Sequence, residues 1–462
     1  MASKEFSIEP IPVKPVKTRH RIIKSPTLPV KESLPILKML RDYEPYSMRG
    51  QPPVVWDRGD MFHVFDPYGN MWLDWSSGVL VANAGHGRRE IRDAVIAEAE
   101  KGLLHNYCFP SEPRARLAKK LVDITPPELT RAFILTTGAE TTECAIKLAK
   151  TWGMKHGGPE KNVIVTYEES FHGRTMGAQL AGGIPALKDW IGKPDPSFVQ
   201  VPFPGSNVVK DKSFGLFERT LAEKGIKPEL VAGVMSETYQ GGNCGFMPDD
   251  YAVKLRKWCD DYHVVMIYDE VQAGFGRTGK MWGFEHHGIV PDIICLGKGI
   301  SSSLPISAVV GKEEIMNQYG PGSMTSTHTG HPLGAVAALA SIELIERENL
   351  VENCRIMGER LFRGLKIIHT RHRRIFDLEG RGLVYALMAL KDRATMEPDA
   401  DLAFEIIRRC FESGLLMFAP VGRGGGTVKI SPPLCITADG IDEGLEVLGD
   451  VVDECVKYSR PC

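Results

Sequence analysis

The stretch MIYDEVQAGFGRTGK, residues 266–280, holds two competing signals for what this chain binds. Gly274, Gly276 and Gly279 have the G-x-G-x-x-G spacing of a dinucleotide-binding loop. Such a loop needs its glycines directly at a strand-to-helix turn, whereas the apolar run here ends earlier, at Asp269. A carboxylate at the strand tip would also repel a pyrophosphate. We therefore interpret the glycines as a conformationally permissive loop, with a nucleotide-binding protein as the alternative.

The whole chain has the composition of a globular protein. Its 462 residues are too many for one simple core, which favours two domains and allows three. Residues are 43% hydrophobic and 25% charged, and the net charge of −2 leaves no basic footprint for nucleic acid. No apolar run is long enough to span a bilayer, so no membrane partner is expected.

Cysteine usage and the N-terminus bear on the compartment. The 10 cysteines are scattered and include no C-x-x-C pair, which predicts reduced thiols in a cytoplasmic protein. Residues 1–26 are basic and proline-rich, and they lack the apolar centre of a secretory signal. We expect an extended arm there.

Short apolar runs alternate with helical patterns through the middle of the chain. Helices are predicted at 140–157 and 249–262. Buried strands are predicted at 131–137, 162–167, 230–237, 264–269, 292–298 and 306–311. This alternation predicts an α/β fold, in which a mainly parallel sheet carries helices on both faces.

The two ends of the chain have a different pattern. Residues 332–368 read as one long helix that leads into a smaller α+β domain, and residues 61–75 read as a hairpin. We expect an N-terminal arm with part of the small domain at 1–85, a large cofactor-binding domain at 86–340 and a C-terminal small domain at 341–462.

Three features at strand ends point to one kind of cofactor. The turn at 136–139, TTGA, opens a helix whose free amides and dipole favour an anion. Asp269 and Lys298 each end an apolar run. Taken singly, the turn could be an ordinary helix cap, and Lys298 could mark the point where the chain leaves the core. Together, a phosphate site, a carboxylate for a pyridine nitrogen and an amine for an aldehyde describe pyridoxal 5′-phosphate (PLP).

At this level of detail the chain resembles a known family from about residue 45 to its end. It is similar to the class III aminotransferases, a PLP-dependent group of fold type I. The resemblance implies a large domain with a mainly parallel, seven-stranded type of sheet and a smaller α+β domain. The motifs that carry it are NAGH (83–86), TTGAETTECAIKLAK (136–150), ESFHGRT (169–175), SETYQGGNCG (236–245), the signature at 268–300, STHTGHPLG (326–334) and VKISPPLCIT (428–437).

The resemblance implies two catalytic residues. Lys298 would form the Schiff base with PLP and then move the proton between the substrate Cα and the cofactor, and Asp269 would pair with the pyridinium nitrogen. Gln272 would hydrogen-bond the ring hydroxyl, while Val271 and Phe171 would pack on opposite ring faces. No metal ion is expected.

The phosphate would be bound by backbone groups of Gly138 and Ala139, together with Thr327 from a second subunit. That contribution makes a homodimer the minimum catalytic unit, with a tetramer as a further option. His172 and Glu237 complete the set of expected cofactor-binding residues.

Substrate recognition is implied by the same resemblance. Arg174 follows the His-Gly pair and matches an arginine that binds a carboxylate in relatives, which suits its planar guanidinium. Glu237 matches a glutamate that neutralises a second arginine in such relatives, but here Lys429 stands where that arginine belongs. Lys429 would bind a carboxylate as a point charge or would be an exposed strand lysine. Arg423 is a possible substitute.

The function expected is that of a PLP-dependent aminotransferase. It would move an amino group from an ω-amino acid, of the 4-aminobutyrate, β-alanine, ornithine, lysine or taurine type, to a 2-oxo acid such as 2-oxoglutarate or pyruvate. The alternative is a PLP-dependent amino-acid racemase or epimerase, or an enzyme like dialkylglycine decarboxylase. Decarboxylase relatives carry tryptophan where this chain has Phe171, which argues against decarboxylation.

Overall fold

The computed structural model describes residues 4–373 and 375–459, and these form two compact units. The terminal unit contains the residues up to Arg88, the segment Gly242–Cys244 and the residues from Leu350 onward. The central unit contains Arg89–Gly241 and Gly245–Asn349. Within the described residues, no helix is both long and apolar enough to cross a membrane.

The first part of the terminal unit is built from short strands. The hairpin predicted at 61–75 is confirmed, and its turn is closed by Asp66, whose Oδ1 accepts the backbone amides of Tyr68 at 3.0 Å and Asn70 at 2.9 Å. The elements are β1 (Ile11–Pro12), β2 (Val16–Lys17), β3 (Ile22–Ile23), β4 (Thr27–Leu28), α1 (Leu34–Tyr43), β5 (Arg58–Asp60), β6 (His63–Phe65), β7 (Met71–Asp74) and the single turn α2 (Ser77–Leu80).

The central unit alternates strands and helices, as predicted. Its helices are α3 (Arg89–Glu100), α4 (Glu112–Asp123), α5 (Gly138–Gly157), α6 (Met176–Ala181), α7 (Phe214–Glu223), α8 (Asp249–Asp261), α9 (Glu313–Met316) and α10 (Pro332–Arg347). Its strands are β8 (Arg131–Leu135), β9 (Val163–Tyr167), β10 (Phe198–Val201), β11 (Val231–Glu237), β12 (Val265–Asp269), β13 (Ile293–Leu296) and β14 (Ser307–Gly311).

These strands form one seven-stranded sheet in the order β10-β9-β11-β12-β13-β14-β8. Strands β10, β9, β11, β12 and β13 run parallel, whereas β14 is antiparallel to both of its neighbours. The mainly parallel sheet is therefore confirmed. Each predicted run became a strand because it is apolar on both faces, which suits a sheet covered on two sides. The edge strand β10 was not predicted from the sequence.

The register of the central strands brings three strand ends together. Glu237 at the end of β11 pairs with Asp269 at the end of β12, and Asp269 pairs with Cys295 of β13. Lys298 lies just beyond the end of β13, after Leu296 and Gly297. Ligands of open α/β sheets bind beyond the carboxyl ends of such strands, so this edge is where a site is expected.

The C-terminal part of the terminal unit adds helices to a second sheet. The elements are α11 (Leu350–Arg371), β15 (Phe376–Arg381), β16 (Val384–Asp392), β17 (Glu397–Pro398), α12 (Ala400–Glu412), β18 (Leu415–Leu416), β19 (Thr427–Ile430) and α13 (Ala438–Ser459). Strands β15, β16, β17 and β19 form a four-stranded sheet, and β18 pairs with β7.

The prediction of one continuous helix over 332–368 is wrong. It is two helices, because α10 ends at Arg347 and α11 begins at Leu350. Asn349 between them has φ 49°, a left-handed conformation that an α-helix does not continue through. Asparagine tolerates that conformation better than most residues, so Glu348-Asn349 was the signal in the sequence.

Candidate active site

Lys298 lies in a short turn just beyond β13, with a left-handed backbone at φ 43°. A lysine adopts this conformation only where its surroundings impose it, at a cost of about 1–3 kcal/mol. The neighbouring Gly297 is held close to other backbone, since a Cβ there would lie 3.2 Å from Val271 Cγ1 and 3.6 Å from Gly138 Cα. Three segments distant in the chain therefore meet where Lys298 begins.

The environment of Lys298 shifts its amine towards the neutral form. Desolvation lowers the pKa of its amine, and the carboxylates of Asp269 and Glu237 offset this only in part. A neutral amine is a nucleophile, whereas an ammonium is not. The site can therefore present an amine that attacks an aldehyde.

Asp269 is buried and held from two sides. Its Oδ2 lies 2.8 Å from Nδ1 of His172, and its Oδ1 accepts the backbone amide of Val271 at 3.1 Å. Because a carboxylate can only accept, the imidazole must carry its proton on Nδ1. The carboxylate is thereby fixed in orientation as well as in position.

Glu237 ties the segment before His172 to the end of β11. Its Oε2 accepts the backbone amide of Phe171 at 3.1 Å, and its Oε1 accepts the backbone amide of Gly241 at 3.0 Å. The side chain is buried, with 5% of the residue exposed. This places the Phe171 ring beside the strand ends.

The start of α5 is shaped to receive an anion. Thr137 Oγ1 accepts the amide of Glu140 at 3.3 Å, and Glu140 Oε2 in turn accepts the amides of Thr136 at 2.9 Å and Thr137 at 2.8 Å. This capping box does not engage the amides of Gly138 and Ala139, which precede the first intrahelical hydrogen bond. Both are therefore free to meet a negative charge at the positive end of the helix dipole.

These groups surround a cavity of about 150 Å³ in the central unit. It is lined by Gly138, Ala139, Phe171, His172, Gly173, Glu237, Asp269, Val271, Gln272 and Lys298. With the exception of Gly173, every lining residue was expected to bind the cofactor. The structure thus brings together residues from segments that are far apart in the sequence.

The donor set of this cavity fits PLP. The phosphate needs an anion site, which the start of α5 offers. The ring nitrogen needs a buried carboxylate, and the aldehyde needs a neutral amine. Phe171 and Val271 supply apolar surface for a flat ring. Within the described residues, no group of histidine, cysteine and acidic side chains could hold a metal ion.

Four other residues singled out in the sequence do not line this cavity. Arg174 and Thr327 belong to the central unit and are exposed. Arg423 and Lys429 belong to the terminal unit. The alternative of an exposed strand lysine is wrong for Lys429, because it lies in β19 with 2% of the residue exposed.

The glycine-rich stretch is a loop, as interpreted. Gly276 and Gly279 have φ 91° and 85°, and residues 273–278 are buried. The next element along the chain is a 3-10 helix of 5 residues, Gly283–His287. The loop therefore lacks the helix N-terminus and the open backbone that a dinucleotide phosphate needs.

Two supports of the site were not predicted from the sequence. Thr142 and Glu143, on the first turns of α5, bond the segment that follows Phe171. Glu270 is fully buried and accepts the hydroxyl of Thr238 and the amides of Gly283 at 2.7 Å and Phe284 at 3.1 Å. Burial raises its pKa to about 7. The adjacent acids Asp269-Glu270 were the available signal.

Comparisons with known proteins converge on one family. A family model described as aminotransferase class-III matches residues 46–452. Acetylornithine aminotransferase from Methanocaldococcus jannaschii is 33% identical over 414 residues, which cover 88% of this chain and 96% of that protein. The 4-aminobutyrate aminotransferase GabT of Escherichia coli is 30% identical over 411 residues, covering 87% and 94%.

A solved structure is also similar. It is an amine transaminase from an uncultivated Pseudomonas species in its PLP-bound form, with a TM-score of 0.81 and 26% identity. The match covers 87% of this chain and 95% of that one.

Proposed function

The chain belongs to the class III aminotransferases, which are PLP-dependent enzymes, and we propose that it moves an amino group from an ω-amino acid to a 2-oxo acid. The donor is of the 4-aminobutyrate, β-alanine, ornithine, lysine or taurine type, and the acceptor is 2-oxoglutarate or pyruvate. The observation that carries this proposal is the position of Arg174, whose Cζ lies 5.6 Å from the centroid of the cavity-lining Phe171 ring. A carboxylate at the far end of a donor can reach it.

When bound, PLP supplies an aldehyde that links to amines and a ring that withdraws electrons from the adjoining carbon. Lys298 Nζ would hold the aldehyde of PLP and would serve as the base for the proton at the substrate Cα. Its lowered pKa suits both roles, because each needs an unprotonated amine.

The ring is oriented by side chains at the strand ends. Asp269 would pair with the ring nitrogen and favour its protonated form, and His172 holds that carboxylate in place. Gln272 would hydrogen-bond the ring hydroxyl, while Val271 and Phe171 would cover the two ring faces. Buried charge is effective here because water does not compete for it.

The phosphate of PLP would be bound by the amides of Gly138 and Ala139, and by Thr327 of the partner subunit. We therefore propose a homodimer, with a tetramer as a further option. Large apolar side chains on the surface support an interface between copies, since monomers rarely expose many of them. In the terminal unit, Met39, Tyr43, Tyr46 and Met48 are 60%, 85%, 65% and 61% exposed.

The acceptor is recognised by Lys429, with Glu237 also contributing to substrate binding. Lys429 stands where relatives carry a carboxylate-binding arginine, and its ammonium offers the same charge to the carboxylate of a 2-oxo acid. Lysine binds as a point charge, so recognition of the second carboxylate of 2-oxoglutarate is weaker than arginine would give.

We place the enzyme in the cytoplasm. All nine cysteines among the described residues are free thiols, which is the state that a reducing compartment maintains.

The test is to mix the purified holoenzyme with one donor at a time, without acceptor, and to follow the visible absorbance of the bound cofactor. We expect 4-aminobutyrate and β-alanine to bleach the band as the amino group passes to the cofactor, and a monoamine without a carboxylate to react more slowly. If α-amino acids lose optical rotation while the band persists, the enzyme is a racemase and the proposal fails.

A further inference from the structure

We propose that Glu143 is a positioning residue for substrate carboxylates, because it fixes the segment 173–178, in which residues 173–175 form the loop that carries Arg174 and residues 176–178 begin α6. Glu143 lies on α5, the helix whose first turn lines the cavity. The inference rests on the proposed role of Arg174 and adds a residue that acts through it.

The end of the loop and the first turn of α6 are held by one carboxylate oxygen. Glu143 Oε1 accepts the hydroxyl of Thr175 at 2.6 Å, the amide of Gly177 at 2.8 Å and the amide of Ala178 at 3.1 Å. Hydrogen bonds to an ionised acceptor are stronger than those between neutral groups. Three donors on one charged oxygen therefore make a firm anchor.

The upstream end of the loop is held by the preceding residue of α5. Thr142 Oγ1 lies 2.8 Å from the carbonyl oxygen of His172 and 2.9 Å from that of Ala139, so its one hydroxyl proton is shared between the two carbonyls. Between this anchor and the donors to Glu143, the chain consists of Gly173 and Arg174. The backbone of the arginine is thus clamped on both sides by consecutive residues of one helix.

The fit of the loop against α5 leaves no room for adjustment. Gly173 has φ 136°, and a Cβ there would lie 2.8 Å from Ala139 Cβ. A Cβ on Gly177 would lie 2.3 Å from Glu143 Oε2. The positive φ and the contact with Ala139 require glycine at 173, whereas a Cβ at 177 would displace the Glu143 carboxylate from its hydrogen bonds.

The carboxylate of Glu143 accepts hydrogen bonds from the segment 173–178 and does not pair with the guanidinium of Arg174. Among the described residues, Arg174 forms no ion pair, and its contact is with the face of the Phe171 ring. The guanidinium therefore stays available for a substrate carboxylate at a distance from the cavity that the clamp sets. Without the hydrogen bonds to Glu143, the distance between the Arg174 guanidinium and the cavity would vary more, and carboxylate binding would weaken. The residues that line the cavity would keep their positions.

The test compares two donors in the holoenzyme: 4-aminobutyrate, and a monoamine of equal length without a carboxylate. In Glu143→Ala we expect the ratio of KM for 4-aminobutyrate to KM for the monoamine to rise about tenfold. Glu143→Gln keeps one carbonyl acceptor, so its ratio should rise less than about threefold. Glu160→Ala, an exposed glutamate beyond the end of α5, is the matched control and should leave the ratio unchanged.

A second measurement does not depend on turnover. Hydrogen–deuterium exchange of the holoenzyme should show faster exchange at the amides of Gly177 and Ala178 in Glu143→Ala, and protection close to the parent in Glu143→Gln. In an Arg174→Ala background, Glu143→Ala should no longer change the KM ratio, because the group it positions is gone.

The inference is overturned if Glu143→Ala raises KM equally for both donors, or if Glu143→Gln changes the KM ratio as much as Glu143→Ala does. It is also overturned if Glu143→Ala still changes the KM ratio in the Arg174→Ala background. When the parent itself shows no preference for the carboxylate-bearing donor, the proposed donor class is wrong and the inference falls with it. A parent that prefers this donor, together with a Glu143→Ala variant that keeps the preference, contradicts the inference alone.

Discussion

Nδ1 of His172 lies 2.8 Å from Oδ2 of Asp269, and both residues are buried. The histidine comes from the loop after β9, and the aspartate from the end of β12. The pair joins the segment that covers one side of the cavity to the carboxylate at its base. The hydrogen bond also fixes the tautomer of the imidazole, and it helps to hold the carboxylate in one orientation.

Asp269→Asn should separate the charge of this pair from its geometry. An asparagine keeps the shape of the side chain and one carbonyl acceptor, so it can accept from His172 or from Val271 but not from both, and it cannot stabilise a protonated ring nitrogen. We expect the cofactor to bind and the first half-reaction to slow by about 100-fold, which corresponds to about 2.7 kcal/mol. Stopped-flow absorbance of the holoenzyme with donor measures it. A half-reaction as fast as that of the parent would remove Asp269 from the proposed mechanism.

Lys298→Ala should abolish covalent attachment of the cofactor. Without an amine at this position, borohydride reduction should leave no cofactor mass on the peptide, and turnover should fall by at least about 10⁴-fold. Mass spectrometry of the reduced protein and a coupled assay provide the two readings. The exposed Lys280 of the glycine-rich loop offers a matched control, since Lys280→Ala should keep both properties. Turnover retained in Lys298→Ala contradicts the assignment.

Arg174→Lys should act on donors according to their charge. The loss of a bidentate guanidinium should raise KM for 4-aminobutyrate about tenfold and leave KM for a monoamine nearly unchanged. Steady-state kinetics with both donors gives the ratio, and Arg116→Lys on the exposed surface of α4 is the control. Equal losses for the two donors would mean that Arg174 has no role in specificity.

Glu270 should make stability depend on pH. Burial raises its pKa from 4.5 to about 7, so between these values the folded chain holds a proton that the unfolded chain has released. Stability from this group is therefore greatest at low pH and falls as pH rises towards 7, by up to about 3 kcal/mol. The Tm difference between the parent and Glu270→Gln, measured from about pH 5 to about pH 8, should shift in favour of the variant. A difference that is constant with pH would show that Glu270 does not titrate in this range.

Lys429 should govern the choice of acceptor. Lys429→Met keeps the apolar stem and removes the charge, so KM for 2-oxoglutarate should rise about tenfold relative to KM for pyruvate. Lys429→Arg should change the same ratio in the opposite direction, because a guanidinium binds a carboxylate through two hydrogen bonds. Kinetics with both acceptors at a fixed donor concentration gives these ratios. If neither variant alters the ratio, Lys429 is a structural lysine of β19.

Much of the central unit could be read from the sequence. The run VVMIYD predicts a buried strand because it is apolar on both faces, and the strand ends at Asp269 because a carboxylate does not enter such a sheet. The same reasoning located β8, β9, β11, β13 and β14. It missed β10, whose four residues carry a glutamine and alternate between buried and partly exposed positions.

The chemistry of the cavity was also readable, since it lies at strand ends and at one helix start. Its supports were not. Glu143 looks like any acid on a helix until the segment 173–178 is folded onto it, and its partners are more than 30 residues away. Lys429 looked as though it could be exposed, because a strand of four residues does not reveal which elements cover it.

The sequence by itself determined which groups this protein brings to its reaction: a lysine and an aspartate at strand ends, and a glycine turn that opens α5. Local apolar patterning sets strand ends, and that patterning is written in consecutive residues. Tertiary structure alone decided how these groups are held: the imidazole on Asp269, the carboxylate on Glu143 beneath the arginine loop, and the burial of Glu270 and Lys429. These depend on hydrogen bonds and desolvation between segments far apart in the chain, which fold together only through packing of the whole unit.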